Sequence, residues 1–198
     1  HQIENQSYEK TLLNQTNFDR AVPAKIRNQA KLAVKDEYTF DFLELGDEHL
    51  ENELERALMV NVRRFLLEMG GHFCFVGNQH RIEIDGREYF VDILLYHRKL
   101  RCLVAVELKI GDFKPEYAGK MQFYLSALND LDMLKEENPA IGIIICKSKS
   151  RIVVEYALKD VHKPIGVSTY LIRKSLPKTL KKYLPSSKEL AASVTVVK

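Results

Sequence analysis

The run CLVAVEL at residues 102–108 constrains the fold of this chain more than any other feature. It is apolar except for Glu107, and a run that is apolar at successive positions belongs inside a sheet that is covered on both faces. A second such run, IGIIIC, lies at 141–146, and a helical pattern beginning at Pro115 separates the two. A strand that reaches its neighbour through a helix normally lies parallel to it. The sequence therefore predicts a buried sheet between helices.

Apolar residues spaced by three and four from Leu50 to Met69 predict one long helix, with Asp47 as its N-cap and Gly70 and Gly71 as its end. The other predicted elements are strands at 80–84 and 88–96 around the tight turn Asp85-Gly86, the helix from Pro115 to Leu128, a helix over 151–158 and a strand over 165–170. The predicted fold class is therefore α/β, a mixed sheet flanked by helices on both faces, in the order helix, three antiparallel strands, helix, strand, helix, strand.

The two ends of the chain differ from this central part. Residues 1–45 are rich in Gln, Asn and Lys and have isolated apolar positions without a period, which favours an extended arm or linker. The first residue is not Met, which suggests that residue 1 lies inside a longer protein. Residues 46–173 are expected to form the domain, and residues 174–198 a basic C-terminal tail.

Length and composition exclude several classes of protein. The 198 residues suffice for one ordinary domain, and a net charge of +3 is too small for the whole chain to act as a polycation. The unpaired Cys74, Cys102 and Cys146 argue against a disulfide framework and fit a reducing cytoplasm. No apolar run is long enough to cross a membrane, and no phosphate-binding or dinucleotide motif predicts a nucleotide cofactor. The histidines show no zinc-hydrolase spacing, and His97 is interpreted as a surface residue.

Charged residues interrupt two of the predicted strands. Asp92 lies in the strand 88–96, and Glu107 and Lys109 alternate with apolar residues in the next strand. A two-residue turn at Arg98-Lys99 pairs position 92 with 105 and 90 with 107, so the three charged side chains emerge on one face. Asp92 and Glu107 are then diagonal neighbours with Cβ atoms about 7 Å apart. A turn one residue longer or shorter would place them on opposite faces.

Two carboxylates at this separation are suited to Mg²⁺, which prefers oxygen ligands and keeps several waters. A bound ion acidifies water and offsets charge on an attacked phosphate. Lys109 would orient that water, accept its proton if the lysine pKa is lowered, or neutralise the phosphate. The alternative is an ordinary surface pair of Glu107 and Lys109 at an open sheet edge, which spacing alone favours because these residue types are common.

The ordered series of motifs adds a family resemblance. The chain resembles the PD-(D/E)XK nuclease superfamily of restriction-endonuclease-like folds, and within it the YhcG-like bacterial proteins, in NFDRAVP, YTFDFL, ELERAL, FLLEMG, VDILLYHRKLRC, VELKIGDFKPEYAGKMQFYLSAL, GIIICKSKSRIVVEYAL and KPIGVSTY. In those proteins a nuclease domain follows a helical N-terminal domain. The resemblance therefore implies that residues 1–45 are the end of such a helical domain.

The resemblance also implies roles for individual residues. Asp92 matches the motif aspartate, Glu107 the following acid and Lys109 the lysine, while Gln122 matches a glutamine often found on the next helix. Val91 stands where the motif has proline, a position that supplies no ligand. The superfamily also places a glutamate on its first helix; of the three candidates, Glu51, Glu53 and Glu55, we choose Glu55, and a solvated helix face is an equal alternative for it.

The resemblance implies a metal-dependent DNA endonuclease that hydrolyses phosphodiester bonds in recombination, repair or defence against foreign DNA. Mg²⁺ is the expected cofactor, Mn²⁺ is expected to substitute for it, and a homo-oligomer is compatible with the prediction. The alternative is a catalytically inactive domain of the same fold that binds DNA or assembles with a protein partner. The residues expected to contact nucleic acid are basic and cluster near the predicted site: Lys114, Lys120, Lys147, Lys149 and Arg151.

Overall fold

The computed structural model describes residues 15–46 and 48–172. In this part of the chain the helices are α1 Phe18–Ala21, α2 Arg27–Ala33, α3 Glu51–Val60, α4 Val62–Met69, α5 Pro115–Leu131 and α6 Arg151–Leu158. The strands are β1 Gln15–Thr16, β2 Glu37–Thr39, β3 Phe73–Ile84, β4 Arg87–His97, β5 Cys102–Asp112, β6 Ile141–Ser148 and β7 Ile165–Leu171. Residues 1–14, Asp47 and the predicted basic tail at 174–198 lie outside the described residues. The predicted cap is wrong, because α3 begins at Glu51 with Leu50 as its N-cap, three residues after Asp47.

The described strands form one mixed sheet in the order β1-β7-β6-β5-β4-β3, with β2 also beside β7. Strands β3, β4 and β5 are antiparallel, whereas β5, β6 and β7 are parallel because α5 and α6 return the chain between them. Helices α3 and α4 and the residues before them cover one face of the sheet. Helices α5 and α6 cover the other face. The predicted α/β class, with helices on both faces, is confirmed.

Residues 15–46 differ from the predicted arm. Strands β1 and β2 pair with β7, and the side chains of Phe18 and Phe40 have no exposed surface. Asn17 fixes the start of the segment because its side chain donates to the carbonyls of Val161 and Lys163, at 2.8 and 2.9 Å. The apolar positions lack a period in the sequence because each belongs to a different short element. The described part of this segment therefore belongs to the core.

Two predicted elements have different limits in the structure. The predicted long helix is interrupted at Asn61, whose side chain donates to the carbonyl of Ala57 at 3.0 Å and so competes with the helix backbone for hydrogen bonds. Strand β3 begins at Phe73 rather than at 80, and it lies at the edge of the sheet with most of its residues exposed. An exposed edge strand needs no apolar alternation, which is why the sequence does not predict its first half.

His97 is buried rather than on the surface. Its side chain is 4 % exposed and packs edge-on against Phe73, with 4.7 Å between ring centroids. Its Nδ1 accepts a hydrogen bond from the backbone of Leu100 at 3.1 Å, in the turn after β4. No helix in the described ranges is long and apolar enough to cross a membrane.

Candidate active site

The pairing of β4 with β5 brings Asp92 and Glu107 together. His97 pairs with Cys102 and Ile93 pairs with Val106, so the turn contains four residues, 98–101, instead of the predicted two. The register is consequently shifted by two positions, which preserves the face on which each side chain emerges. Asp92 and Glu107 occupy the next position on each strand beyond the pair Ile93 and Val106, so they face each other rather than lying on a diagonal.

Asp92 is held against β5 by one hydrogen bond. Its Oδ2 accepts from the backbone N–H of Leu108 at 2.8 Å. Burial, followed by the negative charge of Glu107, raises the pKa of Asp92 to about 6. The two carboxylates face each other across the strand pair and repel, so a cation near both would stabilise them.

Glu107 is the most buried acid of the site, with 2 % of its surface exposed. Its Oε1 accepts from the ammonium group of Lys109 at 3.1 Å and also from that of Lys120. Its Oε2 is buried and has no hydrogen-bond partner among the described residues. A buried carboxylate oxygen without a donor is costly, and an ion or a bound water is the usual explanation.

Lys109 is enclosed by partners. Its ammonium group donates to Oε2 of Glu51 at 2.8 Å and to the carbonyl of Leu108 at 2.9 Å, and it lies 5.4 Å from the ring centroid of Tyr117. Burial lowers the pKa of Lys109, but the contacts with Glu51 and Glu107 outweigh this and raise the pKa above its ordinary value. The lysine therefore remains protonated, and the role of proton acceptor, which requires a lowered pKa, does not fit this site.

The first helix contributes Glu51 rather than Glu55. Glu51 begins α3 and contacts Lys109, whereas Glu55 accepts hydrogen bonds from Asn78 and Gln79 of β3, at 3.3 and 2.7 Å. Glu53 caps the same helix by accepting from the backbone of Leu50 at 2.8 Å. Glu51 and Glu55 share a helix face, so the sequence alone cannot choose between them. The choice depends on where α3 crosses the end of β5.

Helix α5 presents Lys120 to the carboxylates, and the predicted Gln122 is not joined to them. The ammonium group of Lys120 contacts Glu107 and lies 5.3 Å from the ring centroid of Tyr124. Gln122 is two residues further, about 200° around the helix, and no hydrogen bond in the described part of the chain joins its side chain to Asp92 or Glu107. Tyr117, Lys120 and Tyr124 are spaced by three and four residues, so the helical period places Lys120 on the same face as the two tyrosines.

The remaining predicted basic residues have different surroundings. Lys114 is exposed at the N-cap of α5, and Lys147 is exposed near the end of β6, beside the end of β5. The side chain of Lys149 is 9 % exposed and pairs with Asp36 at 2.5 Å, which ties the residues before α3 to the sheet. Arg151 pairs with Glu155, one turn further along α6, at 2.8 Å. Among these residues the structure brings Lys120 into contact with a carboxylate of the site, whereas Lys114 and Lys147 are exposed on elements that neighbour β5.

The donor set fits a hard divalent cation. No group of three or more His, Cys, Asp or Glu residues that could hold a metal ion occurs in the described ranges, and the residues that could hold one here are the two facing carboxylates, Asp92 and Glu107. Mg²⁺ is commonly held by one or two carboxylates and completes its shell with water and substrate oxygens. The buried Oε2 of Glu107 and the mutual repulsion of the two carboxylates are consistent with such an ion.

The fold is that of the restriction-endonuclease-like nucleases. The family model described as the YhcG PDDEXK nuclease domain matches residues 31–185. The chain is 37% identical over 193 residues to the Escherichia coli (strain K12) protein named "Putative nuclease YhcG", which covers 96% of this chain and 49% of that protein. The chain therefore belongs to the YhcG PDDEXK nuclease domain family, and it spans about half the length of the curated relative that it matches.

Solved structures show more distant similarity. A complex of EndoMS with double-stranded DNA is 15% identical and gives a TM-score of 0.44 over 69% of this chain and 49% of that chain. A repair endonuclease from Pyrococcus abyssi is also 15% identical, with a TM-score of 0.40 over 65% of this chain and 49% of that chain. Similarities at this level support no statement about substrate.

Proposed function

We propose that this chain is the catalytic domain of a Mg²⁺-dependent DNA endonuclease that hydrolyses phosphodiester bonds. The observation that carries the proposal is the buried Oε2 of Glu107, which has no partner among the described residues and belongs to a carboxylate that faces Asp92. A chain of a nuclease family that has two facing carboxylates and a lysine paired with two glutamates has the parts that metal-assisted hydrolysis requires.

Each residue has a defined task in this proposal. Asp92 and Glu107 hold the ion, which when bound supplies an acidified water and offsets charge on the phosphate. Lys109 neutralises developing negative charge, since its contacts with two glutamates keep it protonated. Glu51 positions Lys109 by accepting its hydrogen bond. Mn²⁺ would replace Mg²⁺ because carboxylate and water ligands suit both ions.

DNA is the proposed substrate, and the exposed lysines near the site support a polyanion. Lys114 is the N-cap of α5, the helix that carries Lys120, and Lys147 lies near the end of β6, which pairs with β5; at these positions they would contact backbone phosphates. Contacts of this kind do not distinguish DNA from RNA, so the experiment compares both. We also propose that the whole protein acts in recombination, repair or defence against foreign DNA, and that it forms a homo-oligomer. A reducing cytoplasm is proposed because Cys102 and Cys146 are buried free thiols.

Plasmid nicking and, in parallel, cleavage of an RNA, each with Mg²⁺, Mn²⁺ or EDTA, test the activity. Asp92→Asn, Glu107→Gln and Lys109→Met should each lower the cleavage rate by about 100-fold or more, because each removes a ligand or a charge at the phosphate. Cleavage in EDTA, or full activity in both carboxylate variants, would rule out the proposed metal site. Cleavage of RNA and not DNA would correct the substrate.

Two matched variants on α3 test which of its glutamates serves the site. Glu51→Gln removes the acceptor that holds Lys109 and should lower the cleavage rate by about tenfold. Glu55→Gln, one turn along the same face, loses only hydrogen bonds to β3 and should change the rate by less than about twofold. The reverse order of effects would show that Glu55, as the sequence predicts, serves the site.

A catalytically inactive module is the second candidate. It is favoured by the ion pairs of Glu107 with Lys109 and Lys120, which already neutralise this carboxylate in the protein alone. DNA retention in a gel-shift experiment, without cleavage under any metal condition, would support this candidate and exclude the enzyme.

A further inference from the structure

Two lysines contact the same oxygen of Glu107, but their surroundings are not equivalent. Lys109 has a side chain that is 10% exposed and has two further hydrogen-bond acceptors besides Glu107, the carboxylate of Glu51 and the carbonyl of Leu108. Lys120 has a side chain that is 44% exposed and lies on α5 at the open side of the site. One ammonium group is therefore fixed in the site, whereas the other has a path to solvent.

The balance of charge indicates which cation is exchangeable. The site contains three carboxylates, those of Asp92, Glu107 and Glu51, and two ammonium groups, those of Lys109 and Lys120, so one negative charge remains. With a divalent cation bound and both ammonium groups retained, the site would carry one excess positive charge. With the cation bound and one ammonium group gone, the charges cancel, which costs least in a partly buried site.

We propose that Lys120 is an exchangeable counter-cation: it neutralises Glu107 in the metal-free protein, leaves that carboxylate when a divalent ion binds, and then contacts a phosphate of the nucleic acid. This inference rests on the proposed function, because it needs Asp92 and Glu107 to bind the ion. It adds that the chain's own lysines neutralise Glu107 in the metal-free protein, and that Lys120 couples ion binding to phosphate binding.

The surroundings of Lys120 allow this exchange without a change of fold. Besides Glu107, the ammonium group of Lys120 contacts the ring of Tyr124, whose centroid lies 5.3 Å away. Lysine has four rotatable side-chain bonds, so its charged end can move to solvent while the backbone of α5 stays in place. Met121, the next residue, remains buried and anchors this turn of the helix.

Calorimetric titration with Mn²⁺ tests the exchange without measuring activity. Lys120→Met removes the competing charge and should tighten Mn²⁺ binding by about fivefold to tenfold, because binding no longer breaks an ion pair. Lys114→Met loses the same charge on the same helix without a contact to Glu107 and should change the affinity by less than about twofold. Glu107→Gln should abolish binding.

The outcomes separate this inference from the proposed function. If Glu107→Gln abolishes Mn²⁺ binding but Lys120→Met leaves the affinity unchanged or weaker, the ion site is real and the exchange is wrong. If Glu107→Gln binds Mn²⁺ as well as the unaltered chain does, the proposed metal site itself is wrong, and the inference falls with it. Equal tightening in Lys120→Met and Lys114→Met would show a general charge effect and also overturn the exchange.

DNA binding tests the second half of the exchange. With Ca²⁺ in place of Mg²⁺, Lys120→Met should weaken binding of a DNA duplex by about tenfold, whereas in EDTA the loss should be less than about twofold because Lys120 is then occupied by Glu107. Lys114→Met should weaken binding by a similar factor in both conditions. A loss in Lys120→Met that is the same with and without Ca²⁺ would contradict the coupling.

A crystal of the unaltered chain soaked in Mn²⁺ tests the exchange without relying on any variant that has to fold. We expect an anomalous peak beside Glu107, with the ammonium group of Lys120 beyond hydrogen-bond distance of both carboxylate oxygens. A bound ion with the contact between Lys120 and Glu107 intact would overturn it.

Discussion

Lys109 and His97 are both buried bases, and their neighbours decide which form of each the fold stabilises. Lys109 lies between two glutamates, so it stays charged in spite of burial. His97 lies among Phe73, His72 and the turn after β4, and none of the described acids forms an ion pair with it. Burial, followed by the charge of His72, lowers the pKa of His97 to about 4. Burial alone therefore does not determine the charge of a residue in this chain.

Stability should fall with acid because of His97. Its pKa in the folded chain is about 4, below the ordinary value of 6.5, so the unfolded chain binds a proton more readily as the pH falls through this range. The neutral ring makes its full contribution to the free energy of unfolding above pH 6.5, and this contribution is lost as the pH falls from 6.5 to 4. Urea unfolding measures this. Between pH 7 and pH 4.5, the decrease in the free energy of unfolding should be about 2 kcal/mol smaller in His97→Gln than in the unaltered chain.

The exposed His162 provides the control for this measurement. His162→Gln should leave the pH dependence of the unfolding free energy unchanged. A pH dependence in His97→Gln equal to that of the unaltered chain would show that the buried ring is not the source of acid sensitivity.

Among the elements, α5 has the most demanding position, because it packs on β6 while holding Lys120 over Glu107. A Cβ added at Gly142 of β6 would lie 2.5 Å from Cγ and 2.6 Å from Sδ of Met121. Met121 follows Lys120 directly, so the close approach of β6 and α5 sets where the lysine sits. The same helix contains Gly119, around which no heavy atom lies within 4 Å of an added Cβ.

Replacing these two glycines by alanine should therefore have opposite effects on the stability of the chain. Gly142→Ala should destabilise the chain by about 2 kcal/mol, because the new methyl group overpacks the interface with Met121. Gly119→Ala should stabilise it by about 0.5–1 kcal/mol, because alanine has the higher helix propensity and meets no neighbour. Urea unfolding measures both. Destabilisation by Gly119→Ala would mean that this face of α5 is packed more tightly than the structure shows.

Across the whole molecule, the sheet needs the residues that precede α3. Phe40 contacts the rings of Tyr38, Phe65 and Tyr170, and so joins β2, α4 and β7 in one aromatic cluster. Lys149 and Asp36 form an ion pair across the same junction. Residues 15–46 are thus built into the fold that carries the site.

A chain that starts at residue 46 should not fold cooperatively. It lacks Phe18, Tyr38 and Phe40, each fully buried, and exposes the β7 edge that β1 and β2 cover. We expect dye binding to exposed apolar surface and no sharp urea transition. In the full chain, Phe40→Ala should cost about 3–5 kcal/mol, whereas Leu32→Ala, at a position that is 60% exposed, should cost less than about 0.5 kcal/mol. A cooperative transition in the shortened chain would contradict this prediction.

The sequence by itself determined the elements whose pattern is local. The apolar runs of β5 and β6, the helix beginning at Pro115 and the Asp85-Gly86 turn all correspond to structure, because burial on both faces, helix initiation and tight turns depend on a few neighbouring residues. The grouping of Asp92 with Glu107 was also predictable. Side chains alternate along a strand with a period of two, so a register error of two positions left both on one face.

Only the tertiary structure decided the rest, because it depends on distances between elements that are far apart in the sequence. The crossing of α3 over the end of β5 selected Glu51 instead of Glu55, and the rotation of α5 presented Lys120 instead of Gln122. The residues before α3 entered the core through single side chains on separate short elements, which leave no period in the sequence. The protonated state of Lys109 followed from the same packing, since two acids from different elements meet around one ammonium group.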